Sequence, residues 1–219
     1  EKLTSQVDDV VTRTTLHSEA VYAMASSKYT ELTESTGSRA APIIISKLVS
    51  SLRDLHKALI DIFELNVTQQ EKLSWLILNG CKLILKLSQP LVWLSCGKYV
   101  ADVLLFSALC MESVVNLCTT KHLKFRMKLY VTAFYNTIIY GSEDDSQRYL
   151  THIFKQVENL RAQEELDLPM PEKTQIILLE AEVDLATMKA IMNCWLNPDK
   201  FGGIADEEAL KAEFGHPGA

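Results

Sequence analysis

The side chains able to do chemistry are spread thinly along this sequence. The five histidines, His17, His56, His122, His152 and His216, fall on separate segments and none belongs to an H-E-x-x-H arrangement. Converging metal ligands are therefore not expected. The five cysteines are an odd number and no two are spaced C-x-x-C, which suggests neither a zinc site nor a disulfide framework. Cys81, Cys110 and Cys194 fall on apolar stripes, where a thiol is commonly a packing residue. No G-x-x-x-x-G-K loop and no G-x-S-x-G elbow occurs, so nucleotide binding and serine hydrolysis lack their usual supports. The carboxylates Glu143, Asp144 and Asp145, and again Glu164, Glu165 and Asp167, flank turns. The first set sits where acidic residues stabilise a helix start, a simpler reading than paired acid catalysis. One pair stands apart. Glu112 lies in the most hydrophobic segment and Arg126 one turn into the next, so they are placed to meet across a hairpin as a hydrogen-bonded ion pair that fixes its register. The competing reading is two ordinary exposed charges. Lys121, Lys124, Arg126 and Lys128 form a short basic stripe without free stacking aromatics, which reads as a solvated helix face and not a nucleic-acid groove. Trp93, Tyr99 and Trp195 read as packing residues.

The elements that must position these groups follow from length and periodicity. At 219 residues, 47% hydrophobic and 23% charged, the chain is long enough for a substantial core in one or two domains. Its net charge of −6 argues against a nucleic-acid partner. The chain opens on Glu1, and Glu1–Ala20 holds no apolar signal region, so the expectation is an excised piece of a longer protein. The strongest apolar stretch, Tyr99–Met111, is interrupted by Asp102 and Ser107 and falls short of the roughly 18 residues a membrane span requires. It reads as a buried helix.

Helical periodicity runs through nearly every segment and no sustained alternation proposes a sheet, so the expected fold is all-α. Residues 1–36 form a long helix with the stripe Leu3, Val7, Val10, Thr14, His17, Val21 and Met24. After the turn sequence STGSRAAP, a second helix carries Leu48, Leu52, Leu55, Leu59 and Ile62 on one face. Thr68 and Glu71 have capping-box spacing and open a third helix that Pro90 interrupts. Cys96 and Gly97 make a corner before the central apolar helix. Thr119 or Thr120 caps the next, with Leu123, Met127, Tyr130, Phe134 and Ile138 on one face, ending at Gly141. Tyr149, Leu150, Ile153, Phe154, Val157 and Leu160 mark a following face, and Ile176, Leu179, Val183, Ala190 and Cys194 the last. Residues 37–196 thus read as stacked antiparallel helix hairpins, and 197–219 as a tail with a short helix from Asp206. Trp93, Gly97 and Tyr99, followed by Ala108, give part of the tetratricopeptide pattern, although no clean repeat of ~34 residues emerges. A tetratricopeptide-like α-solenoid is the expected architecture, binding partners through extended faces.

Between Leu91 and Met192 the residues resemble a known family. The run Leu104–Leu105, Ala108, Cys110–Met111–Glu112–Ser113, Leu117, Thr119, Leu123, Arg126, Leu129–Tyr130, then Leu160–Arg161 with Glu164, is similar to the N-terminal helical region of the cilia- and flagella-associated protein 54 family. Glu182–Met192 continues the likeness; the first 70 residues and the tail show no family motif. The resemblance implies a very large structural scaffold of the axonemal central apparatus, in a projection from one of the two central microtubules, needed for ciliary assembly and motility. It implies a cytoskeletal location in the cilium or flagellum. It implies as partners other projection subunits, calmodulin-associated ones among them, with no membrane and no small-molecule substrate. It carries over no catalytic residue and no cofactor. What transfers is structural: Cys110, Met111, Glu112 and Ser113, with Arg126, Leu129 and Tyr130, become hairpin-packing positions. A generic peptide-binding helical adaptor without a ciliary role is the alternative; an all-α enzyme would need a closed apolar pocket with converging polar groups.

Overall fold

The computed structural model describes residues 2–34, 41–140, 143–166 and 170–196. Within them the chain is all-α, without a strand. The helices are α1 (Lys2–Glu34), α2 (Ala41–Phe63), α3 (Val67–Lys72), α4 (Ser74–Trp93), α5 (Ala101–Ser113), α6 (Thr120–Tyr140), α7 (Glu143–Glu164) and α8 (Glu172–Leu196), with a single 3-10 turn at Gly97–Tyr99. The expected tail helix from Asp206, Gly141 and the residues between Ser35 and Ala40 lie outside the described residues.

Each helix forms because its apolar residues recur at helical spacing and find a neighbour to cover them. On α2, Leu48, Leu52, Leu55, Leu59 and Ile62 are all essentially inaccessible, as their spacing predicts. α1 packs on α2 and α4, α2 on α4 and α5, α4 on α5, and α5 on α6; α6, α7 and α8 pack on one another. Their buried faces join in one continuous core from Tyr22 of α1 to Met192 of α8.

Four local expectations are corrected. On α1 the inward stripe is shifted by one residue: Ser18, Tyr22 and Ala25 are buried, while Val10 and Met24 are exposed. Small and polar residues occupy the seam because α1 approaches α4 closely. Gly80 of α4 leaves room for the Tyr22 ring, and a Cβ there would lie 2.8 Å from Tyr22 Cζ. The capping box falls at Asn66 and Gln69, not at Thr68 and Glu71. The Asn66 side chain accepts from Gln69 N at 3.0 Å, and Gln69 Oε1 accepts from Asn66 N at 3.2 Å. Glu71 instead accepts from the backbone N–H groups of Val115 and Asn116, just after α5. Pro90 does not stop α4. It sits in the last turn, where it removes the one hydrogen bond to the Lys86 carbonyl and the helix ends three residues later, and Leu87 and Leu91 beside it are fully buried.

On α8, finally, Leu178, Ala181, Leu185, Met188 and Met192 face the core, and Ile176, Leu179, Val183 and Cys194 face outward. Both stripes have helical spacing. Only the position of α6 and α7 decides which is covered.

Candidate functional site

The polar centre of the molecule is built where α5, α6 and α7 meet. Glu112 sits in the last turn of α5 and Arg126 in the second turn of α6, with a short connection bringing the two helices together. Arg126 Nη1 lies 3.8 Å from Glu112 Oε1, with the Arg126 side chain 1% exposed and that of Glu112 8%. The pair therefore meets across the hairpin, but as a close ionic contact without a hydrogen bond. The hydrogen bond to Glu112 comes from elsewhere: His152 Nε2 of α7 lies 2.8 Å from Oε2. Glu112 thus ties three helices at one point. Arg126 Nη1 also donates to Cys118 Sγ at 3.5 Å. The Tyr130 ring packs beside this cluster, with its centroid 6.5 Å from that of His152. Burial first, and the Glu112 carboxylate second, push the Tyr130 hydroxyl well above the ordinary tyrosine range.

The other expected site residues divide into two groups. Cys110, Met111, Leu129 and Tyr130 are buried core residues, and Ser113 is exposed, its hydroxyl donating to Cys110 O at 2.8 Å. Gly97 is buried in its turn against Asn136 and Tyr140 of α6. Trp93 and Tyr99, expected to pack, are 80% and 45% exposed, and Trp195 is 60% exposed. The reason for Trp93 lies in the turn after α4. There Ser95 adopts φ 57°, Ser95 N donates to Val92 O at 3.0 Å and Cys96 N to Leu91 O at 2.8 Å. That double return is a Schellman closure. It buries Leu91 and leaves Trp93, two positions on, facing out. Sequence reasoning missed His152 and Cys118 in the cluster; neither follows from spacing, since His152 is 40 residues from Glu112.

The buried thiols near this centre are packing groups. Burial pushes the Cys110 thiol up to about 12, and the Cys81 thiol well above its ordinary range, with Cys81 Sγ donating to Ser107 O at 3.4 Å. Thiols held protonated are poor nucleophiles. Cys194, also expected on a packed face, is exposed. Burial lowers the pKa of His56, which sets its ring edge-on to Phe106 at 4.8 Å. Among the described residues, no group of three or more His, Cys, Asp and Glu side chains is placed to hold a metal ion. No described helix is long and apolar enough to cross a membrane. Among the described residues the surface carries grooves, including one of about 470 Å³ between α6 and α8, one of about 620 Å³ between α7 and α8, one of about 540 Å³ along α2 and one of about 330 Å³ between α1 and α2.

What such a helical body belongs to is decided by comparison. Residues 9–193 match the profile of the N-terminal region of Cilia- and flagella-associated protein 54. The chain belongs to that family. The match runs from α1 into α8, so it reaches well beyond the likeness read between Leu91 and Met192 and takes in residues 9–70, which carry no recognisable motif. Cilia- and flagella-associated protein 54 of Chlamydomonas reinhardtii is 27% identical over 163 residues, which cover 74% of this chain and 5% of that protein. The chain therefore spans a small fraction of the length of this relative. Membership of Cilia- and flagella-associated protein 54 gives the chain a cilia- and flagella-associated role.

Proposed function

We propose that this chain is a non-catalytic assembly segment of a very large scaffold in the central-pair projection of the ciliary axoneme. In this reading its stacked, tetratricopeptide-like helices present extended outer faces to neighbouring subunits. The partners are other central-apparatus projection proteins, calmodulin-associated subunits among them, and the location is the axonemal cytoskeleton. The observation that carries the reading is the family match across residues 9–193. The fold is compatible with it: the polar centre around Glu112 serves packing, and large apolar side chains such as Trp93, Val115, Val183 and Trp195 are exposed at scattered points.

The test uses the full-length parent protein, tagged in a flagellated cell, with and without the stretch corresponding to residues 9–193. The expected result is signal along the axoneme and co-purification of central-pair components, with that recovery and the beat reduced when the stretch is removed. A diffuse cytosolic signal with unrelated partners would overturn the proposal.

A further inference from the structure

Tyr99 was expected in the core and instead forms a wall of the groove along α2. The opposite wall is α2 itself, through Pro42, Ile45, Val49 and Arg53. Ile45 and Val49 are half-buried and pack against the core from below, so the floor is apolar and held in place. The lining carries one charge, Arg53, and no carboxylate. Among the described residues Arg53 has no ion-pair partner. Lys98, outside the lining, holds its ammonium 4.9 Å from the Tyr99 ring centroid. Asp102, further along the chain, acts on His56, one turn beyond Arg53 on α2.

The other grooves described each have a carboxylate in their lining. The chain as a whole carries −6. In the α6/α8 groove Lys124 is already paired with Glu180 at 2.8 Å, and Lys128 is matched by Asp184 among the lining residues. The α7/α8 groove sets Glu158 against Lys155 and Lys189, and a groove between α1 and α2 sets Asp54 against Lys28 and Lys57. Of these four grooves, only the α2 groove joins an apolar floor and a cation to a lining without any carboxylate.

The geometry points to the α2 groove as a docking site for a short segment of a partner protein, one that presents an apolar side chain beside a carboxylate. The apolar side chain would rest on Ile45, Val49 and the Tyr99 ring. The carboxylate would take the paired N–H groups of Arg53, with Lys98 strengthening the field. Tyrosine and arginine at one contact are the residue types that dominate interface energetics. This inference rests on the assembly reading and gives one of its contacts a chemistry.

A photo-crosslinking residue placed at Ser50, which lines the groove, in the tagged full-length parent protein tests it, with the crosslinked segment read by peptide mass spectrometry. The expected segment carries Asp or Glu within four residues of Leu, Ile, Met or Phe. Arg53→Glu and Tyr99→Ala are each expected to cut the crosslink yield at least tenfold, and a compensating Lys at the partner carboxylate to restore it in the Arg53→Glu background. Arg53 is exposed, so the melting temperature of the purified 219-residue chain should not move with Arg53→Glu. Capture of a basic or uncharged segment, capture of a second copy of this chain, or a yield indifferent to Arg53→Glu would overturn the inference. Loss of the tagged protein from the axoneme overturns the assembly reading, whereas an axonemal protein without an Arg53-dependent crosslink overturns this inference alone.

Discussion

Arg126 carries a full positive charge into a site that is 1% exposed, and its Nε and Nη2 have no hydrogen-bond partner among the described residues. Desolvation of such a group is costly, so its place depends on the Glu112 carboxylate nearby and on the packing around both. Removing one member leaves the other buried and under-compensated. Arg126→Met and Glu112→Gln are each expected to destabilise the fold by about 3 kcal/mol, and the double variant by clearly less than the sum. Urea denaturation of the four proteins measures this, and additive losses would show that the two groups are not coupled. That Glu112 and Arg126 face each other was legible from a charge inside the most hydrophobic helix and its counterpart a turn into the next. That Arg126 leaves the basic stripe was not, because Lys121, Lys124 and Lys128 share its helix and are all exposed. Spacing along one helix does not say which of four cations has an acid waiting across the hairpin.

At the scale of elements, helix existence was easier to read than helix orientation. The α2 face was legible because its leucines leave a single apolar stripe and charged residues fill the other side. α1 and α8 each offer two defensible stripes, and the neighbours choose. The turn between α4 and α5 shows the same at shorter range. The corner was expected at Cys96 and Gly97, yet the left-handed residue is Ser95. Gly97 is required for another reason: a Cβ there would lie 2.7 Å from Asn136 Cγ and 2.9 Å from Tyr140 Cε2. Tyr140 is in turn fixed, its hydroxyl donating to Ser95 O at 2.7 Å. Two substitutions two residues apart should therefore act in opposite directions. Ser95→Gly is expected to stabilise by about 0.5–1 kcal/mol by relieving the left-handed conformation, and Gly97→Ala to destabilise by about 1–3 kcal/mol through overpacking. Thermal melts of the two variants decide it; equal shifts would contradict both assignments.

For the whole molecule, the packed histidines set a pH dependence. Burial lowers the pKa of His56, with Asp102 opposing; burial also lowers that of His122, helped by Lys121, Arg126 and Lys82. The unfolded chain then takes up protons first as pH falls below the ordinary value of about 6.5. Stability that is present above that value is lost as pH falls through it toward the lowered folded values. The melting temperature is expected to be lower at about pH 5.5 than at about pH 7.5. A His56→Gln, His122→Gln double variant should show a shallower fall, and an identical fall in it would place the titration elsewhere. The sequence by itself determined that this chain is helical, that α2 buries its leucine face, and that the residues from Leu91 resemble one family, because helical period and local residue order are properties of the chain alone; the stretch read as one helix from Thr68 is divided by the structure into α3 and α4. Only the tertiary structure decided which side of α1 and α8 is covered, that His152 and not Arg126 hydrogen-bonds Glu112, and that Trp93 and Tyr99 face outward. Those outcomes depend on contacts between residues far apart in the chain and on closures such as that at Ser95, where burial is assigned by what a neighbouring helix covers and not by how apolar a side chain is.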